Sequence, residues 1–253
     1  MIGIFDSGSG GLTVLRAIRE RMSGTDIVYF GDIKNAPYGS KTPAELSHLT
    51  FSAFTFLVKR GATSIVSACN SVSSSLAVSL LDAGDISSDH LIEMVGPTVR
   101  YFKHADSKIL VCATPATIKS EIYQNAFSMI GKEIQTLPIP ELAGAIESGA
   151  SDDEIEEIIR TAFMSIPHGS FSVLILACTH YPLVMKVFKK VLGERVLIFD
   201  PAEAVAERVA ELWWPREAGN GKMTFLISKD SEPFRKFVAE FFPESAEKIE
   251  VIK

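Results

Sequence analysis

Several kinds of segment are missing from this chain of 253 residues. No apolar stretch is long enough to cross a bilayer, so a membrane partner is not expected. No basic run interrupts a chain whose net charge is −6, which argues against nucleic acid as a partner. No basic segment precedes the first apolar run, Ile2-Gly3-Ile4-Phe5, so no signal peptide is expected. Cysteine is scarce, at positions 69, 112 and 178 only. An odd, sparse count argues against a disulfide framework and for a reducing cytoplasm. Cys and His do not cluster at metal-ligand spacing. No lysine stands in a recognisable pyridoxal context, and low-complexity segments are absent.

What remains is a chain built to pack. It is 47% hydrophobic and 22% charged, enough for one large or two modest domains. Short apolar runs alternate with helical patterns, the mark of α/β architecture. The strand candidates are Ile2–Phe5, Asp26–Phe30, Ser64–Ala68, Ile109–Cys112, Ile134–Leu137, Val173–Ala177, Val196–Phe199, Met223–Ile227 and Ile249–Ile252. Two helix starts are explicit. Thr42-Pro43-Ala44-Glu45 offers a cap, a proline at the first helical position and an acid three residues after the cap. Ser151-Asp152-Asp153-Glu154 repeats the pattern without proline. The first helix is expected to end at Gly61 and the second before Pro167.

Cys69 and Cys178 lie in matching settings: an apolar run, then Ala-Cys, then a small polar residue. The runs Ile65–Ala68 and Leu174–Ala177 read as buried parallel strands. Each thiol then sits just past a strand's C-terminal end, where α/β folds build sites. Ile65–Val78 resembles Leu174–Val187, and Ile2–Phe5 with Asp6 resembles Val196–Phe199 with Asp200. The chain therefore reads as two related α/β halves. The proposed division is 1–96 plus 208–253 for a discontinuous first domain and 97–207 for a second. Two thiols on opposite walls of one cleft suit an acid and a base on opposite faces of a carbon, which is racemisation of a stereocentre.

The neighbours of the thiols add detail. Asn70 or a following Ser can cap the helix beginning there, whose free N–H groups would favour a carboxylate and lower the Cys69 pKa. His180, two residues from Cys178, can exchange a proton with that thiol. The glycines of Asp6-Ser7-Gly8-Ser9-Gly10-Gly11 permit close approach to a ligand. A dinucleotide fingerprint fails, because Thr13 stands where the third glycine belongs and Asp6 would repel phosphate. Asp6 is better read as holding a proton near Cys69, or as a helix N-cap. Pro37-Tyr38-Gly39-Ser40 reads as a tight turn, with the Tyr38 hydroxyl and the Gly39 N–H available to a substrate carboxylate. Thr114 and Thr117 place hydroxyls at another strand end. Cys112 falls inside its strand and reads as core.

Together Phe5-Asp6-Ser7-Gly8-x-Gly10-Gly11, Pro37-Tyr38-Gly39, Ala68-Cys69-Asn70 and Cys178-Thr179-His180 resemble the glutamate racemases, within the cofactor-independent aspartate/glutamate racemase family. The resemblance runs from residue 1 to about 210. It implies two similar three-layer α/β domains with mostly parallel sheets and the active site in the cleft between them. It implies Cys69 and Cys178 as the acid/base thiols, assisted by Asp6, by His180 and by Glu147. Ser7, Pro37, Tyr38, Gly39, Asn70 and Ser71 would line the amino-acid pocket, with Thr114, Thr117 and Thr179. No cofactor and no metal is implied, a homodimer is compatible, and the product would be D-glutamate for cell-wall precursors. The chain departs from the family pattern in three places. Ser71 replaces Thr, Val95-Gly96-Pro97 lacks an acid, and Asp200-Pro201-Ala202 replaces a second Asp-Ser-Gly. Two rivals remain at this level: a racemase or isomerase of the same fold acting on aspartate, a hydantoin or another small acid, and a silent scaffold that binds a partner.

Overall fold

The computed structural model describes residues 1–73, 88–245 and 248–252. Two sheets carry the fold. The first has six strands in the order β10-β9-β2-β1-β3-β4 and the second four, in the order β6-β5-β7-β8. The first sheet comprises β1 (Ile2–Asp6), β2 (Ile27–Gly31), β3 (Ser64–Ser67), β4 (Leu91–Glu93), β9 (Met223–Ile227) and β10 (Ile249–Val251). The second comprises β5 (Ile109–Ala113), β6 (Gln135–Pro138), β7 (Val173–Ala177) and β8 (Leu197–Phe199). Every strand pairing is parallel among the described residues, and helices join the strands, as the alternating sequence pattern led one to expect.

The strands that carry the site are buried from end to end. β1 (IGIFD), β3 (SIVS), β5 (ILVCA) and β7 (VLILA) have no exposed position. Such unbroken burial is what helices on both faces of a parallel sheet produce. Register then sets the site. Phe5 pairs with Ser67 across β1 and β3, while Ala113 pairs with Ala177 across β5 and β7. Asp6 and Cys69 therefore emerge from one sheet edge, and Thr114 and Cys178 from the other. Cys112, inside β5, is fully buried and donates weakly to the Ile175 carbonyl at 3.6 Å, a core residue.

Both expected capping boxes form. Thr42 and Ser151 each accept from the backbone N–H three residues on, and Glu45 and Glu154 reach back to the cap N–H. The first helix, Pro43–Lys59, stops two residues short of Gly61, which takes a positive φ of 91° just beyond it. The second, Asp152–Phe163, ends before Pro167.

The structure differs from expectation in two places, and a third expectation falls outside the described residues. β4 was not foreseen: it is three residues long and only its middle residue is buried, too little for a periodic signal. The chain after His180 makes a short 3-10 turn, Tyr181–Val184, before the helix Met185–Leu192 begins. After Cys69 the helix is described only over Asn70–Ser73, and its expected continuation through Leu76-Ala77-Val78 lies outside the described residues.

Beyond residue 208 the chain returns to the first sheet, where β9 pairs with β2 and β10 with β9. The helix Pro201–Trp213 serves two cores. Val205, Ala206, Val209 and Trp213 pack with Leu15 and Ile18 of the helix Leu12–Arg21, whereas Ala204 packs with Val95, Val99 and Phe199. Among the described residues no helix is long and apolar enough to cross a membrane.

Candidate active site

A cavity of about 540 Å³ opens where the C-terminal ends of β1, β3, β5 and β7 converge. Cys69, Asn70 and Ser71 line it on the first-sheet side, and Cys178, Thr179 and His180 on the second-sheet side. Pro37, Tyr38 and Gly39 form a third face, while Ser7, Thr114 and Glu147 complete the polar lining. Two candidates lie just behind it. Asp6 and Thr117 are fully buried and reach the cavity only through neighbours.

The two thiols meet different partners. The Cys69 Sγ–H donates to Ser7 Oγ at 3.6 Å. Burial, reinforced by the nearby charge of Asp6, pushes the Cys69 thiol up to about 12. This corrects the expectation that the following helix would lower it, since desolvation outweighs the few N–H groups there. Cys178 Sγ lies 4.0 Å from His180 Nδ1, and the far nitrogen of the same ring, Nε2, is 2.6 Å from Glu147 Oε2. Burial alone would lower the His180 pKa, but the bonds to Cys178 and Glu147 outweigh it and hold it well above its usual value. Burial likewise opposes the Glu147 charge, yet His180 and Ser9 hold its carboxyl below the usual range. Neutral pH lies between those two displaced values, so the pair stands as imidazolium and carboxylate.

Asp6 does not pair with Cys69. Its Oδ1 accepts from the Gly8 N–H at 2.8 Å and its Oδ2 from Thr179 Oγ1 at 2.9 Å, across the cleft. Nor does it cap the helix Leu12–Arg21, where no side chain caps. Burial raises its pKa, with His180 pulling the other way. Asp200, its sequence counterpart, makes the same local bond, to the Ala202 N–H at 2.9 Å. Asp200 does not line the cavity.

The glycines serve a purpose other than the expected one. A Cβ on Gly8 would lie 2.7 Å from a Glu147 carboxylate oxygen, and one on Gly10 would lie 2.6 Å from the Thr179 and His180 backbone. A Cβ on Gly39 would lie 2.6 Å from Thr114. These glycines let the two walls abut, and Gly39 also lines the cavity. Ser9 completes the junction, giving its N–H and hydroxyl to Glu147 at 2.9 and 3.0 Å. Ser71 Oγ lies 2.9 Å from Thr114 Oγ1, which lies 3.1 Å from Thr117 Oγ1.

Tyr38 lines the cavity with its ring, because its hydroxyl is already donated to Asp32 Oδ2 at 2.7 Å. Gly96 does not touch the cavity: a Cβ there would meet only Glu93 Oε1, at 3.0 Å. Glu93 accepts from both the Val95 and Gly96 N–H groups at 2.6 Å. Sequence reasoning missed the wall formed by Pro140, Glu141, Ala143, Gly144 and Ala145, after β6. Its one signal was position past a parallel strand. Among the described residues no Lys or Arg lines the cavity, and no group of three His, Cys, Asp or Glu could hold a metal ion.

Fold and site define a parallel α/β protein with two buried thiols lining one cavity, each beside its own polar partner. The family model for Asp/Glu/hydantoin racemases matches residues 2–209. The glutamate racemase of Clostridium perfringens strain SM101 is 38% identical over 203 residues, covering 79% of this chain and 77% of its own. The crystal structure of a glutamate racemase isoform from Bacillus anthracis aligns with a TM-score of 0.89 at 27% identity, covering 100% of this chain and 97% of its own. The glutamate racemase of Francisella tularensis subsp. tularensis SCHU S4, solved with D-glutamate, aligns at 0.88 and 26% identity with the same coverage. The chain belongs to the Asp/Glu/hydantoin racemase family.

Proposed function

We propose that this protein interconverts L-glutamate and D-glutamate without a cofactor, using Cys69 and Cys178 as paired acid and base. The observation that carries the reading is the lining of one cavity by both thiols, each beside a separate proton-bearing or charged group. The substrate's α-carbon lies between the sulfurs. One thiolate removes the α-proton, the electron pair stays on carbon and its carboxylate, and the opposite thiol delivers its proton to the other face. The sulfurs exchange protonation states in the process.

The resting charges favour one starting arrangement. The His180 imidazolium stands beside Cys178, while burial keeps Cys69 a thiol. That pairing suits removal of the proton from L-glutamate by Cys178 and donation by Cys69. The reverse reaction starts from Cys69. In this reading Glu147 holds the imidazolium, and Asp6 acts through Thr179. With no cation but His180 at the cavity, backbone N–H groups and the hydroxyls near Ser71 and Thr114 receive the carboxylates. Residues 1–96 plus 208–253 and 97–207 act as the two bodies that close on the substrate. The product supplies peptidoglycan precursors in the cytoplasm.

The test is optical. Protein dialysed against chelator should bring either pure enantiomer of glutamate to the racemate, followed by circular dichroism. A strict need for added pyridoxal phosphate, nucleotide or metal ends the two-thiol mechanism. An aspartate kcat/KM tenfold above that for glutamate, about 1.4 kcal/mol in barrier, ends the substrate assignment.

A further inference from the structure

Asn70 is 2% exposed and lines the cavity next to Cys69. Its two amide ends have different fates. Oδ1 accepts the Tyr123 hydroxyl proton at 2.6 Å. Nδ2 is buried and has no hydrogen-bond partner among the described residues. A buried amide N–H₂ without a partner is costly, a cost that persists where a ligand is to supply the acceptor. Tyr123 is fully buried and does not line the cavity. It stands on the helix Ile122–Met129, in the core beneath the second sheet with Phe102, Phe127 and Val111. Its ring is therefore fixed by packing, and its hydroxyl reaches across to Asn70 at the start of the helix that follows β3.

We infer that Tyr123 is a positioning residue for the substrate: by holding Asn70 Oδ1 it fixes the amide so that Nδ2 is the end left to donate to a substrate carboxylate. The inference rests on the reading of this cavity as the glutamate site. Without the phenol the planar amide can turn over and present Oδ1, which would repel a carboxylate. The cavity has no Lys or Arg to compensate, so one misdirected donor matters more here than in a cationic pocket. The contact also joins the two walls, so the donor is set only when the walls are together.

The experiment compares Tyr123→Phe, Asn70→Asp and the double variant with the wild-type protein. Tyr123→Phe should raise KM for both enantiomers about tenfold, the loss of one directed hydrogen bond. Its kcat should change less than roughly threefold, since the thiols are untouched. Asn70→Asp keeps an acceptor for Tyr123 but removes the donor, so its KM should rise at least as much, and Tyr123→Phe should add nothing to it. Unchanged KM in Tyr123→Phe, or effects that multiply in the double variant, would overturn the inference. A second arm needs no turnover. In the nitrogen-15 NMR spectrum, the Asn70 side-chain N–H₂ pair, identified by its loss in Asn70→Asp, should shift or broaden in Tyr123→Phe. An unmoved pair overturns the inference whether or not glutamate is the substrate. A wild-type protein that leaves glutamate unchanged while the pair moves overturns the glutamate reading and leaves Tyr123 as the group that orients Asn70.

Discussion

Beside Cys69 stand a hydroxyl, Ser7 Oγ at 3.6 Å, and the buried carboxyl of Asp6; beside Cys178 stands an imidazole, His180 Nδ1 at 4.0 Å, held from behind by Glu147. The two thiols leave equivalent places at the ends of β3 and β7, and both are buried. The difference lies in their partners. Burial and the neighbouring Asp6 carboxyl push the Cys69 thiol up, whereas Cys178 faces an imidazole that Glu147 helps to keep charged.

The asymmetry carries a thermodynamic restriction. Enantiomers in water have equal free energies, so kcat/KM must be the same in both directions. A difference between the walls can therefore appear only in kcat and KM taken separately. The largest expected effect ignores direction altogether. Cys69→Ala and Cys178→Ala should each lower racemisation at least about a thousandfold, because the opposite-face donor or acceptor is gone. In heavy water the wild-type protein should place solvent deuterium at Cα in product formed from either enantiomer. Near-normal turnover by either variant would mean that one base suffices, and the comparison of walls would lose its meaning.

How much of this was visible in the chain follows from what each residue needs. The thiols were legible because an apolar run ending in Ala-Cys fixes a strand and its exit together. The capping boxes were legible because all their parts lie within four residues. Asp6 misled because its partner, Thr179, is 173 residues away and shows no local trace. Tyr38 misled because Asp32, six residues earlier, takes its hydroxyl. The wall from Pro140 to Ala145 was silent because all but Glu141 are small or apolar, and a lone acid there names no chemistry. The glycines of residues 8–11 were rightly singled out and given the wrong neighbour. What they admit is the opposite wall, and only the fold shows how near it comes.

A smaller effect should fall on one wall alone. Glu147→Gln removes the negative charge that helps to hold His180 protonated. Burial is then opposed by the bond to Cys178 alone, and the imidazole pKa falls from its raised value. The sign is fixed by that order: the His180 charge contributes fully below about 6.5, its unfolded value, and is lost as pH rises through the folded one. In the wild type that loss lies well above neutrality, and in the variant it moves down toward it. With less imidazolium beside Cys178 at pH 7, kcat from L-glutamate should fall, by up to about 10- to 100-fold. The alkaline limb of the rate-against-pH profile should also move to lower pH. A profile that keeps the wild-type shape would mean that Glu147 does not set the His180 charge.

The smallest effects distinguish glycines of the two walls. Gly10, on the first wall, faces the Thr179 and His180 backbone, where an added Cβ would stand 2.6 Å away. Backbone cannot swing aside as a side-chain tip can, so Gly10→Ala must part the walls locally and should cost about 1–3 kcal/mol, as overpacking does. Gly144, on the second wall, also lines the cavity, but a Cβ there meets nothing within 4 Å. It lies inside the helix Leu142–Ser148, where alanine is the better residue by about 1 kcal/mol. Gly144→Ala should therefore leave the protein equally or slightly more stable, by up to that amount, in chemical denaturation. The same pair of variants separates stability from site geometry. Gly10→Ala should lose activity more steeply than it loses stability, since the junction it spreads carries Asp6, Thr179 and the Glu147–His180 pair. Gly144→Ala should keep its kcat. If both variants unfold at the wild-type denaturant concentration, the walls do not abut at Gly10 in solution, and the close junction that joins Glu147 to His180 and Ser9 would have to be redrawn.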